Sequence, residues 1–443
     1  MAEQRAIVIG GSVAGLLAAR ALSERFARVT VLERDDPSTR VVPEAQHFHG
    51  LLAGGLVAFE SLLPGFAEGA RVRGGRVVDV GEFARWSLEG VLLPAMQTGL
   101  RGIAMARADL EQLLRERVAN YDHIELRANA RVAGLLGSAW KITGVRLDDG
   151  EELQAELVVD ASGLGSRVPD MLTRFGLKPP AQDHVKMDLR YTSCVIRREP
   201  RHLEGKDGFV YTPCAPTPRG GAVFALDDGR YMVTLLGYLG SHATPTYRGM
   251  TEFARGLPDR TLYALLRDAE PLSEPATLRH PGSVRRRYDR MRHRPRGLLV
   301  IGDALCSINP AYAHGMTLAA LQANALRRVL HAESDERVLQ QRYFSEATRI
   351  VDVPWSMVAG ADFEFSGARG SQPPPHPSVR AYFKRALRAA ARDKALAQAV
   401  YRVMHLVDPP SALFAPPLVS LVLGQPDTPA PRTRSLKLVP DLG

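Results

Sequence analysis

Residues 6–33 set out an apolar run, a small-residue turn, a helix-forming stretch and a second apolar run closing on a carboxylate. The runs are Ala6-Ile7-Val8-Ile9 and Val29-Thr30-Val31-Leu32-Glu33, and Leu16 to Phe26 lies between them. The turn is Gly10-Gly11-Ser12-Val13-Ala14-Gly15. This order predicts a βαβ unit, in which two parallel strands are joined by a crossover helix. A glycine turn lets backbone N–H groups approach a pyrophosphate, and the helix N-terminus adds partial positive charge. Glu33, followed by Arg34, can accept hydrogen bonds from ribose hydroxyls. That favours an adenosine with a free 2′-OH, hence FAD or NAD over NADP. The usual three-glycine spacing puts its second glycine at position 12, where this chain has Ser12 and carries Gly11 one place early. A small residue there still permits close approach.

A chain of 443 residues has room for two domains or one large discontinuous one. At 45% hydrophobic and 24% charged, it can build a core without disulfide or metal staples. The formal charge of +9 raises the question of nucleic acid, but the arginines are scattered. The densest run, Arg285-Arg286-Arg287 to Arg296, has only Tyr288 as a stacking aromatic and reads as a solvated loop or hairpin face. Anionic cofactors give a basic surface something else to attract. Cys194, Cys214 and Cys306 are unpaired by spacing and read as reduced thiols of a cytoplasmic protein. The start enters the first strand with no secretory signal, and no run of about eighteen apolar residues offers a transmembrane span.

Along the chain, helix signals recur at 107–119, and strands are predicted at Ile124–Arg127, Ala130–Leu136, Ile142–Leu147 and Leu157–Asp160. Asp148-Asp149-Gly150 makes a hairpin turn. From about 184 to 290 the pattern alternates (Met187–Ile196, Gly208–Tyr211, Gly221–Leu226, Arg230–Leu236), which predicts an inserted antiparallel sheet. Leu298-Leu299-Val300-Ile301 returns as a buried strand closing on Gly302-Asp303, and Met316 to Leu330 reads as the helix after it. A helical part is predicted over 376–406, an apolar stretch Leu413–Leu423 broken by Pro416 and Pro417, and a Pro-rich strap or tail over 424–443.

Three short motifs therefore stand in order: Gly10–Gly15 with Glu33, Asp160–Arg167, and Gly302-Asp303 followed by Pro310 and Gly315. This order resembles the FAD-dependent monooxygenases of the aromatic-hydroxylase type (group A), over nearly the whole chain. The resemblance implies an α/β fold: a Rossmann-like FAD-binding domain of the glutathione-reductase type, an inserted mainly antiparallel β-sheet substrate domain, and a helical C-terminal part. It divides the chain into FAD-binding segments 1–75, 98–177 and 291–355, substrate-domain segments 76–97 and 178–290, and a C-terminal region 356–443. In the family the Gly-Asp aspartate, here Asp303, holds the ribityl chain. Pro310, Gly315 and Met316 match positions beside the isoalloxazine, Arg107 an arginine that reaches the flavin, and Val132 a position by the adenine. Asp160 and Gly163 belong to the middle motif. That motif usually reads Asp-Gly where this chain has Ser162-Gly163, so the carboxylate held to act in FAD and NADPH binding is missing.

A narrower likeness is carried by Val42-Pro43-Glu44-Ala45-Gln46-His47-Phe48-His49, by Asn309-Pro310 and Tyr312-Ala313-His314-Gly315-Met316, and by Asp352-Val353-Pro354-Trp355. These segments look like the polyene epoxidases of polyether antibiotic biosynthesis. The resemblance implies transfer of one oxygen atom from O₂ through a flavin C4a-hydroperoxide to an alkene of an apolar polyketide or isoprenoid-like molecule. NADPH or NADH, or a separate flavin reductase, would supply electrons. Rival readings are an aromatic (phenol or quinolone) hydroxylase, a flavin reductase of isoprenoid double bonds, a non-catalytic dinucleotide module and a nucleic-acid binder. Epoxidation needs no acid–base pair, and none is read. His314 and Pro310 are the flavin-side candidates, and Tyr191, Phe224, Met232 and Leu235 the candidate substrate wall. His47 and His49 read as cofactor-wall or core residues rather than metal ligands, since no third ligand follows. Trp86, Trp140 and Trp355 read as packing residues.

Overall fold

The computed structural model describes residues 4–36, 47–226, 229–372 and 377–426, with the backbone alone for Phe48 and His49. Its centre is a five-stranded parallel sheet in the order Leu298–Val300, Leu157–Asp160, Arg5–Ile9, Arg28–Leu32, Ile124–Arg127. The four strands other than the edge strand Ile124–Arg127 are rich in Val, Ile and Leu, as suits a sheet covered on both faces. Ile9 is in register with Asp160, and Asp160 with Val300. The turns that follow these three strands therefore leave the sheet side by side, although they are far apart in sequence. The first helix, Val13–Leu22, has eight of its ten residues buried and packs on Gly315–Ala332. A small antiparallel meander, Val132–Gly137, Ile142–Leu147 and Glu152–Gln154, carries its turn at Asp149-Gly150, with Gly150 at φ +93°.

The second layer is a seven-stranded sheet in the order Ala276–His280, Leu189–Arg197, Arg230–Gly237, Arg219–Ala225, Gly208–Tyr211, Ala84–Leu88, Val91–Leu92. It is antiparallel except where Gly208–Tyr211 pairs with Ala84–Leu88. Helices Tyr247–Arg255 and Thr261–Asp268 cover one face, with Met250, Phe253, Leu262 and Leu266 packed on Ile196, Val223 and Val233. The sequence reading missed these helices. They span nine and eight residues, too short for their 3–4 spacing to stand out among alternating strands. It also missed the 27-residue helix Glu336–Asp362, which carries Pro354 inside it. The buried stripe Leu339, Tyr343, Phe344, Ala347 and Val351 continues past that proline and outweighs the one backbone hydrogen bond it removes.

Two further expectations are corrected. Pro416 and Pro417 begin the helix Pro416–Gly424, where a missing N–H costs nothing, rather than breaking the stretch. Arg285, Arg286 and Arg287 are not solvated: only 4%, 7% and 8% of each is exposed. They lie at the end of Ser283–Arg286, a strand of a four-stranded sheet with Cys306–Ser307, Gln182–Lys186 and Arg369–Gly370. Each has partners that make burial tolerable: Asp352 for Arg285 at 2.6 Å, Asp289 and Asp183 for Arg287, and backbone carbonyls for Arg286. The helices Pro377–Ala390 and Lys394–Met404 fall where a helical part was predicted. The tail beyond 426 and the residues before His47 in the Val42–His49 motif lie outside the described residues.

Candidate functional site

Gly10 and Gly15 bring the first turn against its neighbours. Gly10 sits at φ +102°, and a Cβ there would lie 2.6 Å from the Ala161 carbonyl oxygen. A Cβ on Gly15 would lie 1.8 Å from the Gly10 oxygen, so only glycine lets the helix start this close to the strand. Position 12 has no such constraint. Ser12 is the N-cap of Val13–Leu22, yet its side chain caps nothing; it donates instead to Glu111 at 3.0 Å. Arg107 donates to both, at 3.3 Å each, so the residue that replaces a glycine ties the turn to the helix Arg107–Ala119. The N–H groups of the first helical turn stay clear of side-chain caps, which suits an anion. Glu33 is buried and accepts from the Gly11 N–H at 3.0 Å.

The second and third turns complete this edge. Asp160 of the middle motif is wholly buried and is not among the described residues that line the large cavity. Its carboxylate accepts from the Ser162 N–H at 3.0 Å and from the Ser162 and Ser166 hydroxyls. Burial pushes its pKa up, against these bonds and the Arg286 charge. Asp160 thus shapes the turn Ala161–Gly165, whose backbone does face the cavity. Gly302, at φ +65°, approaches Ala14 so closely that an added Cβ would stand 2.5 Å from the Ala14 Cβ. Its N–H donates to Gln322 Oε1 at 2.8 Å. Arg286 then links the two turns: its guanidinium donates to Leu164 O at 2.6 Å and to Ala304 O at 3.0 Å. Neither Arg286 nor Gln322 was foreseen. No spacing rule marks them, whereas Glu111 stands at i+4 from Arg107 and could have been found.

All three turns open on a single cavity of about 1330 Å³. One end is lined by Gly10, Ser12, Val13, Ala14, Glu33, Arg34, Val132 and Gly163. Beyond Arg107 it runs to Gly302, Asp303, Pro310, His314, Gly315 and Met316. Gly11 and Gly15 lie behind the lining. The far part is walled by the seven-stranded sheet and the C-terminal helices. Tyr191 and Phe224 line it, together with Thr234 and Leu236. Leu235 does not: alternation turns it to the opposite face, among Val223, Leu262 and Leu265. Met232 shares the inner face by alternation but lies outside the lining. Trp86 lines the cavity and donates to Val80 O at 2.8 Å, Trp355 is core, and Trp140 is 70% exposed, edge-on to His293.

The walls are apolar, with a few buried polar groups. His47 Nδ1 lies 2.7 Å from the Ser193 hydroxyl, which lies 2.7 Å from that of Thr234. The side chain of His49 lies outside the described residues. His314 and His405 both line the cavity, are both buried, and have Nδ1 atoms with no hydrogen-bond partner. Burial pushes His314 down to about 4, against the Met404 carbonyl, and His405 down to about 3, helped by its neighbour His314. Both are therefore neutral above pH 5. Because these folded pKa values lie below the ordinary histidine value, the stability they contribute is present above pH of about 6.5 and lost as pH falls through about 4. The melting temperature is expected to drop on acidification from pH 7 to 4.5, with each histidine costing on the order of 3 kcal/mol by pH 4. His405→Gln, which cannot titrate, should flatten that profile; an unchanged slope would show that acid lability arises elsewhere.

The residues present fit FAD. The cavity begins at a glycine turn and an uncapped helix N-terminus that suit a pyrophosphate, passes the buried strand-end carboxylate of Glu33, and reaches the loop and helix N-terminus at Pro310–Met316. The comparisons with known proteins agree. The family described as FAD binding domain matches residues 3–358. Over 446 residues the chain is 31% identical to Protein Rv3254 of Mycobacterium tuberculosis, covering 95% of this chain and 92% of that protein. Among solved structures, p-nitrophenol 4-monooxygenase PnpA from Pseudomonas putida superposes with a TM-score of 0.64 at 19% identity, over 91% of this chain and 99% of that one. PqsL of P. aeruginosa in complex with 2-aminobenzoylacetate gives 0.63 at 18%, over 82% of this chain and 98% of that one. These two likenesses establish the fold. With the family match spanning the three turns and the relative spanning nearly the whole length, the chain belongs to the FAD-binding domain family.

Proposed function

We propose that this enzyme uses FAD to add one oxygen atom of O₂ to an apolar small molecule, with epoxidation of an alkene as its reaction. The observation that supports this most is the continuity of the cavity from the Gly10 turn, past Asp303 and the loop Pro310–Met316, to the apolar inner face of the seven-stranded sheet. Bound FAD, once reduced, supplies the activation of O₂. The chain's own residues do the rest. Gly10–Gly15, Glu33, Arg34 and Val132 hold the adenosine and pyrophosphate, Arg107 and Asp303 the ribityl span, and Pro310–Met316 the ring. Tyr191, Phe224 and Leu236 hold the substrate and exclude water, which protects a reactive oxygen donor from wasteful breakdown. NADPH or NADH docking transiently, or a separate flavin reductase, provides electrons.

Aromatic hydroxylation is the second reading, and one buried group favours it. Asp362 accepts from Asn309 Nδ2 at 3.1 Å, and Asn309 also donates to the Tyr238 hydroxyl at 3.2 Å. Burial pushes Asp362 up to about 7, against the Asn309 bond. Tyr191 and Tyr312, both on the cavity wall, sense its charge. Asp362 itself is fully buried and outside the cavity lining, so a proton from a phenol would reach it only by way of a wall tyrosine, a step an alkene does not need. The two reactions separate by product. Reduced, FAD-loaded protein under ¹⁸O₂ is expected to convert an apolar diene to an epoxide carrying one ¹⁸O, at a rate little changed by Asp362→Asn. Label in a phenol probe instead, lost in Asp362→Asn, would establish hydroxylation. Absence of label from both would overturn monooxygenation.

A further inference from the structure

The mouth of the cavity is built by the C-terminal segment, and its outer surface is unusual. Helix Pro416–Gly424 reads PPLVSLVLG, and only Val422 in it is fully buried. Its single hydroxyl, on Ser420, donates back to Pro416 O at 3.1 Å. Leu423 is 55% exposed. Phe414 and Val379 both line the cavity yet are 44% and 48% exposed, so they stand on its rim. The three share one surface: Tyr382, one turn on from Val379, stacks on Phe414 at 4.5 Å, and Arg385, a turn further, donates to Leu423 O at 2.8 Å. Leu418 and Leu421 of this helix pack inward, which leaves Leu423 exposed with Phe414 and Val379; exposed apolar residues singly need no explanation, but three gathered beside the entrance to an apolar cavity do.

Charge identifies what can cover it. Residues 377–425 contain seven Lys and Arg against two Asp, and counting Glu89 and Glu364, which pair with Arg380 and Lys384, the region keeps an excess of three positive charges. Both aspartates are already engaged, Asp393 as the cap accepting from Leu396 N and Asp408 with Arg402 at 2.6 Å. Arg385 reaches this face at Leu423, Lys394 is exposed at the start of the adjoining helix Lys394–Met404, and Arg392 is exposed just before it. A second copy of the chain would bring like charges together across this face. A nine-residue helix is too short to span a bilayer but long enough to lie in its interface, and cations beside it favour anionic headgroups. We propose that this rim docks on an anionic membrane surface, with Leu423, Phe414 and Val379 in the headgroup–acyl boundary, so that an apolar substrate enters between Val379 and Phe414 directly from the lipid.

The inference deepens the reading of an apolar substrate but is tested apart from catalysis, by co-sedimentation of the full FAD-loaded chain with extruded vesicles. The protein is expected to pellet with phosphatidylcholine–phosphatidylglycerol vesicles at least about tenfold better than with phosphatidylcholine alone, and less well in high salt. Leu423→Asp should weaken that binding by about tenfold or more, and Arg392→Glu with Lys394→Glu should remove the preference for phosphatidylglycerol. Retained flavin absorbance in each variant shows that it is folded. No pelleting with anionic vesicles, or pelleting untouched by Leu423→Asp, would overturn the proposal. So would a dimer in light scattering that Leu423→Asp converts to monomer, which makes a second copy the occupant. Because pelleting does not depend on turnover, a protein that binds vesicles but oxygenates nothing would count against the proposed reaction alone.

Discussion

Gly15→Val is expected to yield a colourless protein that takes up no FAD. The smallest side chain at this position would already place its Cβ 1.8 Å from the Gly10 oxygen, and that oxygen belongs to the turn proposed to hold the pyrophosphate. Backbone cannot yield as a flexible side chain does, so the helix Val13–Leu22 must move away from the strand. That helix packs on Gly315–Ala332, whose N-terminus forms the other end of the cavity. The damage should therefore reach both ends of the cofactor site, at a stability cost of about 3 kcal/mol or more. Ser12→Gly is the control: Ser12 is not pressed by its surroundings, and this change should leave FAD binding within a few-fold while loosening Arg107. Flavin absorbance after gel filtration reads both outcomes. A yellow Gly15→Val protein would contradict the close approach on which the site depends.

Arg286→Leu carries the second large effect. The side chain is nearly isosteric along its stem but leaves the carbonyls of Leu164 and Ala304 without their buried donor. Leaving buried acceptors unpaired costs about 1–3 kcal/mol each, so a loss of roughly 3 kcal/mol in thermal or urea unfolding is expected. FAD affinity should fall at least tenfold with it, because Arg286 is what holds the turn at 161–165 against Gly302–Ala304. Arg286→Lys has a single nitrogen to reach both carbonyls and should rescue only in part. Full affinity in Arg286→Leu would mean that the two turns are held apart from this residue.

What was legible in the sequence is what local chemistry governs. Gly10, Gly15 and Glu33 carry short-range demands of a turn and a strand end, and Asp303 with Pro310 and Gly315 a second such set. Strand ends at Ile9, Asp160 and Val300 could be read one by one, but their register is a property of the assembled sheet. Arg286 illustrates the cost of reading charge without context: an Arg-Arg-Arg run looks solvated until the sheet that buries it is formed. Leu235 was misplaced because alternation gives two faces without saying which one meets the cavity. The buried pair His314 and His405, and Asp362 behind Tyr191, meet only through the C-terminal helices and the 27-residue helix. No spacing in the sequence announces those meetings.

The central claim is that one FAD lies along the cavity, adenosine at the first turn and isoalloxazine at the loop Pro310–Met316. A crystal structure of the FAD-soaked protein tests it most directly. The account requires the pyrophosphate at the N-terminus of Val13–Leu22, the ribose beside Glu33, the ribityl chain by Asp303, and the ring between Gly315 and the inner face of the sheet at Tyr191. A flavin ring near Glu33, or a cofactor that leaves Asp303 and the loop untouched, would contradict it.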